Sequence, residues 1–570
     1  MKDKKRLKQD KLPPLSMVGY ALAVLAVFAV KAALAGQQRF YTWIDGAPLD
    51  DELYFHAAQS ITAGNWLGEY NYLTLSKHPL FAMWLAALQK LGLPYLIAGQ
   101  LLWTAAALAM AAALAPALKT RWRQLAVFGV LAFLPSASAS YTLRVYRDNI
   151  FPALCLLFFA GLTGYALRAA GRRRKSLPWL LLAGAGLAAA WLCREDGVWL
   201  LGGLVLAVLL WRRMGLKSLN AWARVVALAL PGLVLVGSLQ AVAAKNEREY
   251  GVRVVSDFST GSFAQAIGAM VRVKESETVP LVSVPAEVRE LLYENVEALR
   301  PLRYWLEEDP QMRNDFVNPE VGDYQSGSFY WAIRRAAQYE GVYDTAQKAQ
   351  AYWAGVAEEI NRLCDEGVLP SEGGVRSGTT PPVRAENVLP TLAETAKSLY
   401  WCATFQDCAP YRTDITIGTA EDVAVWEAYL HTGANLAAQA GTANAYYNPV
   451  QKAAYGLLTL LRRGYAVCLP LALLAALWVF VRRGLALLHG GRGLALLQGG
   501  GGALLWWLEL GFLGMALFRA AMMAFMEVAS FHIGTYVMYL ATVHPLLALF
   551  AAAVLLAGPS EEKEAPSWDI

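Results

Sequence analysis

The run YLIAGQLLWTAAALAMAAALAPAL, Tyr95 to Leu118, carries no charged residue and is followed at once by Lys119-Thr-Arg-Trp-Arg123. About 20 apolar residues in a helix cross the roughly 30 Å of hydrocarbon in a bilayer, so this run is long enough to span. Leu15 to Gly36 and Val537 to Gly558 read the same way. With 56% hydrophobic and 17% charged residues across 570 positions, the chain falls outside the range of soluble domains, which excludes a cytosolic or secreted enzyme. The segment after the basic start Met1-Lys-Asp-Lys-Lys-Arg is long and lacks a small-x-small cleavage site, so it is read as a retained first helix.

Charge sets the topology. Basic runs fall in the N-terminal tail, at Lys119 to Arg123, at Arg172 to Lys175, at Arg212 to Lys217, at Arg482-Arg483 with Arg492, and in the tail beyond Gly558. Placing one helix pair between successive runs puts all of them on one side, which the positive-inside rule makes cytoplasmic. The expected fold is mainly α: a polytopic membrane protein of about ten transmembrane helices. Residues 1–244 form an N-terminal transmembrane module with a first outer loop at 37–79. Residues 245–462 form a mostly helical extracytoplasmic domain between the seventh and eighth helices, and 463–570 hold the last helices and a cytoplasmic tail. The net charge of +5 is accounted for by this topology and gives no support for nucleic-acid binding.

Inside the long insert, Ala349 to Leu363 repeats its apolar residues at helical spacing, Thr419-Ala-Glu-Asp422 reads as a capping box, and Pro370 to Pro382 reads as a loop. Trp331, Tyr339, Tyr343, Tyr352 and Trp353 fit a helix-packing core better than a sugar-stacking surface. Cys402 and Cys408 fit a local disulfide in an oxidising compartment, with two free thiols as the alternative. Cys155, Cys193 and Cys468 lie in or beside apolar segments and Cys364 has no near neighbour. The Gly490 to Gly502 stretch has no Lys-Ser/Thr ending, so it is an inner connection and not a phosphate loop. No His-Glu-x-x-His or Cys-x-x-Cys occurs, and no internal repeat is visible.

The chemistry concentrates in the first outer loop, which reads Leu49-Asp50-Asp51-Glu52-Leu53-Tyr54 and later Lys77-His78-Pro79. Three adjacent carboxylates alone describe a solvated acidic turn. The Lys-x-Pro step changes that reading, because it sets a compact cation at the bilayer surface, where a lipid phosphate sits. The next outer loop adds Arg144-Val-Tyr-Arg147-Asp148, the one after it Arg194-Glu195-Asp196-Gly197, and Arg519 lies inside a late apolar segment, where a charge usually faces a partner. Lys31, near the outer end of the first helix, reads as snorkelling to the interface.

Asp50-Asp51-x-x-Tyr54, the Lys77-His78-Pro79 element and Asp148 in the following outer loop resemble the GT-C superfamily of membrane glycosyltransferases, especially protein O-mannosyltransferases and aminoarabinose transferases. His78 stands where the family pattern has a proline. The resemblance covers residues 1 to about 250. At the other end, Tyr536, Tyr539 and His544-Pro545 are similar to the family's final helices but lack its usual Arg-Tyr pair. The resemblance implies an inverting transfer of a hexosyl or pentosyl group from a polyprenyl-phosphate-linked donor to an unknown acceptor, which is a glycan, a lipid or a protein. Asp50 would be the general base, Asp51 and Asp148 would orient it or the acceptor, and Lys77, Arg144, Arg147, Arg194 and Arg519 would hold the donor phosphate. Tyr54 and His78 complete the element. It leaves open a divalent ion such as Mg or Mn at Asp50, Asp51 and Asp148, which some branches use and others do not. It also implies a bacterial cytoplasmic membrane, with both termini cytoplasmic and the large domain outside. The competing readings are an oligosaccharide polymerase or ligase using a lipid pyrophosphate, and a non-catalytic receptor or scaffold. A transporter would require midplane charges and inverted repeats, and Arg519 alone meets that description.

Overall fold

With no water in hydrocarbon, a spanning segment must satisfy its backbone hydrogen bonds internally, and the apolar runs do so as helices. The computed structural model describes residues 14–168, 173–210, 221–276, 279–371, 373, 383–410, 415–436, 446–489, 501–530, 532–533 and 536–558. The basic run at 212–217, residues 490–500 of the glycine-rich connection and most of the 370–382 loop lie outside the described residues. The chain is a mainly α, multi-span membrane protein. Six helices among the described residues are long and apolar enough to cross a membrane, within Met17–Ala35, Tyr95–Leu118, Phe151–Arg168, Ser176–Cys193, Pro449–Leu487 and Gly502–Ala529.

In chain order the first elements are α1 (Met17–Ala35), α2 (Asp51–Ala63), α3 (Leu80–Leu91), α4 (Tyr95–Leu118), α5 (Arg121–Ala132), α6 (Phe151–Arg168), α7 (Arg173–Cys193), α8 (Leu201–Leu210) and α9 (Ala221–Tyr250). The outward faces of α1 and of the later Pro449–His489 helix leave Leu22, Leu25, Leu471, Leu474 and Trp478 exposed, an arrangement that lipid and not water tolerates. The α6–α7 contact depends on two glycines: a Cβ at Gly161 would come 2.3 Å from the Ala183 backbone nitrogen, and one at Gly186 would come 2.5 Å from that of Phe158. Small residues allow this close approach, which supplies packing where the hydrophobic effect between helices is absent.

The insert follows as α10 (Ser262–Arg272), α11 (Ala286–Asn295), α12 (Pro310–Phe316), a two-residue hairpin of β1 (Val317–Asn318) and β2 (Asp323–Tyr324), α13 (Ser326–Tyr339), α14 (Ala346–Asp365), α15 (Val388–Thr404) and α16 (Ala420–Leu430). Thr419 caps α16 by accepting from the Asp422 backbone N–H at 3.2 Å, as the capping-box reading expects. The insert has two parts with different packing. Phe263 to Leu369 enclose a core of their own around Trp353 and Tyr343, whereas Cys402, Phe405, Trp426 and Tyr429 join the core of the transmembrane module. Among the insert aromatics, Tyr343 and Trp353 are core residues as expected, and Tyr339 is exposed. Cys402 and Cys408 are both buried and are not joined by a disulfide, and the Cys408 sulfur lies 3.4 Å from His544 Nε2.

The last elements are α17 (Pro449–His489), α18 (Gly501–Ala529), α19 (Tyr536–Tyr539) and α20 (Val543–Leu556). The helix expected from 463 therefore begins at Pro449, because the amphipathic stretch before it continues the same spiral. The expected span from Val537 to Gly558 is interrupted at Leu540–Thr542, leaving α20 as a shorter apolar helix. The Lys119 to Arg123 end of the bundle is tied to its neighbours: Arg121 donates to the Leu15 carbonyl and Arg123 to that of Leu556, both at 2.9 Å.

Candidate active site

The loops at the opposite end of α1 and α4 converge. Residues 40–43 run extended and form isolated bridges, Phe40 with Ala434, Tyr41 with Arg144 and Trp43 with Ile417, so the segment between α1 and α2 is aligned by the loop between α5 and α6 and by the end of the insert. Asp50 is the N-cap of α2 but makes no capping bond with its side chain, which turns away toward Lys77. Asp51 and Glu52 occupy the first turn, where the helix dipole favours negative charge.

Asp50 is the one of these acids that reaches solvent, with 38% of its side chain exposed. Its Oδ1 accepts from Lys77 Nζ and, at 2.9 Å, from the Tyr146 hydroxyl, while Arg144 lies 3.7 Å from Oδ2. Burial works against the charge of Asp50, yet Lys77, Arg144 and Arg147 together hold its carboxyl well below the usual carboxylate range. Lys77 is pulled down by burial, with Asp50 acting in the opposite direction. Asp51 is fully enclosed between Arg144, at 2.8 Å, and the Thr42 hydroxyl, which donates to it at 3.0 Å. Burial raises Asp51 to about 6 despite Arg144, and the adjacent Asp50 adds to the rise.

Tyr146 joins the acidic loop to the basic one. Its hydroxyl oxygen accepts from Arg147 at 2.7 Å and from Lys77 at 3.3 Å while its proton goes to Asp50. Arg147 also meets Glu195 at 2.5 Å, and Glu195 accepts from the His78 backbone N–H at 3.1 Å. Burial opposes the charge of Glu195, but Arg147 holds it at about 2. Tyr54, buried, sets its ring edge-on to Tyr146 at 5.9 Å, and the His78 ring meets the Trp191 carbonyl at 2.6 Å.

The remaining expected residues form a deeper layer. Arg194 pairs with Asp148 at 2.6 Å and with Asp196 at 3.1 Å, and Arg519 reaches Asp196 at 2.6 Å and the Tyr539 carbonyl at 3.0 Å. This explains how Arg519 is tolerated in a spanning helix: it is fully buried against an acid from the loop before α8. Asp148 is enclosed by Arg194, and burial pushes its carboxyl up. It makes no direct bond to Asp50, so the structure places Asp148, Arg194 and Arg519 in a supporting network and Asp50, Lys77, Arg144 and Arg147 around the exposed carboxylate. Each candidate metal acid already faces a cation, and no group of three His, Cys, Asp or Glu is placed to hold a metal among the described residues.

Residues outside the expected site set complete the arrangement: Tyr146, Glu195, Asp196 and Thr42, while Tyr539, expected only as part of a family-like final helix, enters through its carbonyl. Tyr146 lies between Arg144 and Arg147, a local signal visible in the sequence. Thr42 is brought in by tertiary structure alone.

Two solved structures are similar to this chain. They are ArnT from Cupriavidus metallidurans in the apo state, at 14% identity, and ArnT from Cupriavidus metallidurans bound to undecaprenyl phosphate, at 13%. Each comparison covers 94% of this chain and 78% of that chain at a TM-score of 0.30. No protein-family model matches the sequence, and no curated protein does.

Proposed function

We propose that this chain is a membrane glycosyltransferase that moves a sugar, with inversion, from a polyprenyl-phosphate-linked donor to an acceptor hydroxyl on the outer side of a bacterial cytoplasmic membrane. One observation carries the reading: a half-exposed Asp50 held by a buried Lys77, beside Arg144 and Arg147, at the end of the bundle where loops and spans meet. Burying a lysine beside a single exposed acid prepares a cation for an incoming anion, because a phosphate competes with Asp50 for the same ammonium.

The low basicity of Asp50 in the resting state follows from that pairing. A donor phosphate that draws Lys77 away removes the largest influence holding Asp50 down, so the carboxylate gains basicity when the donor is in place. The acceptor oxygen then attacks the anomeric carbon, the bond from that carbon to the phosphate oxygen breaks, the phosphate leaves with the bonding pair on Lys77, and Asp50 takes the acceptor proton. A phosphate leaving group needs no protonation. Asp51 acts by fixing Arg144, and Glu195 by fixing Arg147.

The pyrophosphate alternative is disfavoured by the charges. Arg147 faces Glu195, and Arg194 and Arg519 face Asp148 and Asp196, so few cations are left for a second phosphate group. The test is transfer of labelled sugar from polyprenyl-phosphate donors by protein in nanodiscs. Asp50→Asn is expected to abolish transfer while the protein inserts and folds normally, and an unchanged rate would remove Asp50 from the mechanism.

A further inference from the structure

Lys77 is surrounded by three aromatic rings. Tyr54 and Tyr146 come from the transmembrane module, with centroids 5.7 and 5.4 Å from the ammonium, and the third, at 5.6 Å, is Trp331 on α13 of the insert. Trp331 is therefore not a core residue as its spacing suggests. It is half-buried, packed at 4.6 Å on Phe258, and it overlooks the ammonium that faces Asp50. Trp305 and Trp353 of the insert each donate their indole N–H, to Glu340 at 2.7 Å and Tyr343 at 2.9 Å. The indole N–H of Trp331 has no hydrogen-bond partner among the described residues; those of Trp84 and Trp199 are also unpartnered but enclosed, whereas Trp331 is half-buried and its N–H is not among the enclosed groups.

The position of Trp331 is fixed. One turn further along α13, the fully buried Arg334 pairs with Asp257 at 2.9 Å and donates to the Tyr72 carbonyl at 3.1 Å. The Asp257 backbone N–H donates to Leu75 at 2.9 Å and the Ser256 hydroxyl to Ser76 at 3.0 Å. These bonds fasten α13 and the 256–258 segment onto the loop that ends in Lys77, which holds Trp331 and Phe258 beside Lys77.

A glycosyl phosphate carries its sugar directly on the phosphate. With the phosphate on Lys77, the sugar ring must lie within one ring width of it, against whichever wall is aromatic. We propose that Trp331, backed by Phe258, is the sugar-stacking platform of the donor site, receiving the apolar face of a pyranose or furanose ring while its indole N–H bonds a ring hydroxyl. The proposal rests on the transferase reading above and deepens it: the insert, far away in sequence, selects the donor sugar.

The test uses the full chain in nanodiscs and measures binding of undecaprenyl phosphate and of undecaprenyl-phosphate-linked glucose, mannose, galactose and 4-amino-arabinose. At least one sugar-bearing carrier is expected to bind about five- to tenfold tighter than the bare carrier. Trp331→Ala is expected to bring that ratio close to one while leaving undecaprenyl phosphate binding unchanged, and Trp331→Phe, which keeps a ring and the fold, to retain part of it. Three results overturn the proposal: equal weakening of bare and sugar-bearing carriers by Trp331→Ala, which would mean that Trp331 only supports Lys77; a sugar preference that survives the substitution; or a native protein that prefers none of the four sugars. Failure of the transferase reading itself looks different, since Lys77→Ala would then leave undecaprenyl phosphate binding intact.

Discussion

Replacing Arg194 by Met removes the cation that faces Asp148, an acid with no exposed side-chain surface. An uncompensated buried charge of this kind costs about 4 kcal/mol. Asp196 adds little to that cost, because it is 22% exposed and keeps Arg519 at 2.6 Å. Asp148→Asn alone deletes one charge-assisted bond while Arg194 keeps Asp196, for a loss of about 2 kcal/mol. In the double variant no charge is left without a partner, so the cost should be about 3 kcal/mol, well short of additive, with a coupling near the upper end of measured pairs. Reversible unfolding in mixed micelles with increasing SDS, followed by tryptophan fluorescence, gives all four stabilities. Arg194→Met should also regain stability as pH falls, because an unpaired Asp148, already pushed up by burial, takes a proton in the folded state. A double variant as unstable as the sum of the two single variants would refute the reasoning and show that Asp148 and Arg194 do not depend on one another.

Other expectations follow from the same geometry. Gly161→Val places atoms where the Ala183 backbone lies and should force α6 and α7 apart, giving aggregated protein on size-exclusion chromatography; monodisperse, stable protein would contradict the close crossing. Asp51 has a folded value of about 6 against an ordinary 3.8, so its contribution to stability is full below the ordinary value and lost as pH rises through about 6. Asp51→Asn, which cannot ionise, should lack that decline, and matching stability profiles between pH 4 and 6 would show that Asp51 does not titrate there. Arg334→Gln should release the insert from the Lys77 loop, seen as faster hydrogen exchange in residues 72–77 and 256–260, with unchanged exchange arguing that the Arg334–Asp257 pair does not fasten them.

The multi-span character and the acidic–basic pairing of the loop after the first helix were legible in the sequence, because both rest on local signals, hydrophobic length and Asp50 and Lys77 bracketing one loop; of the about ten spans expected, six are long apolar helices among the described residues. The division of labour among the charges was not. Asp50 and Asp51 are adjacent and identical in type, yet one faces solvent and the other is enclosed by Arg144 and Thr42, a difference set by the bridge of Tyr41 to Arg144. Asp148 stood in the right loop for a partner of Asp50, but Arg194 claims it. Trp331 shares helical spacing with core aromatics, and it takes tertiary bonds, from Arg334, Gln338 and Asp257 to the Lys77 loop, to decide which way that face of α13 turns. The interrupted last span escaped notice because Leu540 to Thr542 carry no proline or glycine to mark the break.

The most direct test of the central claim is a structure of the nanodisc-embedded protein with undecaprenyl phosphate added, read at a single atom, Lys77 Nζ. The lipid phosphate is expected within about 3 Å of that nitrogen, with Asp50 released from it and turned toward the open face. A lipid bound elsewhere, with the Lys77–Asp50 pair intact, would contradict it.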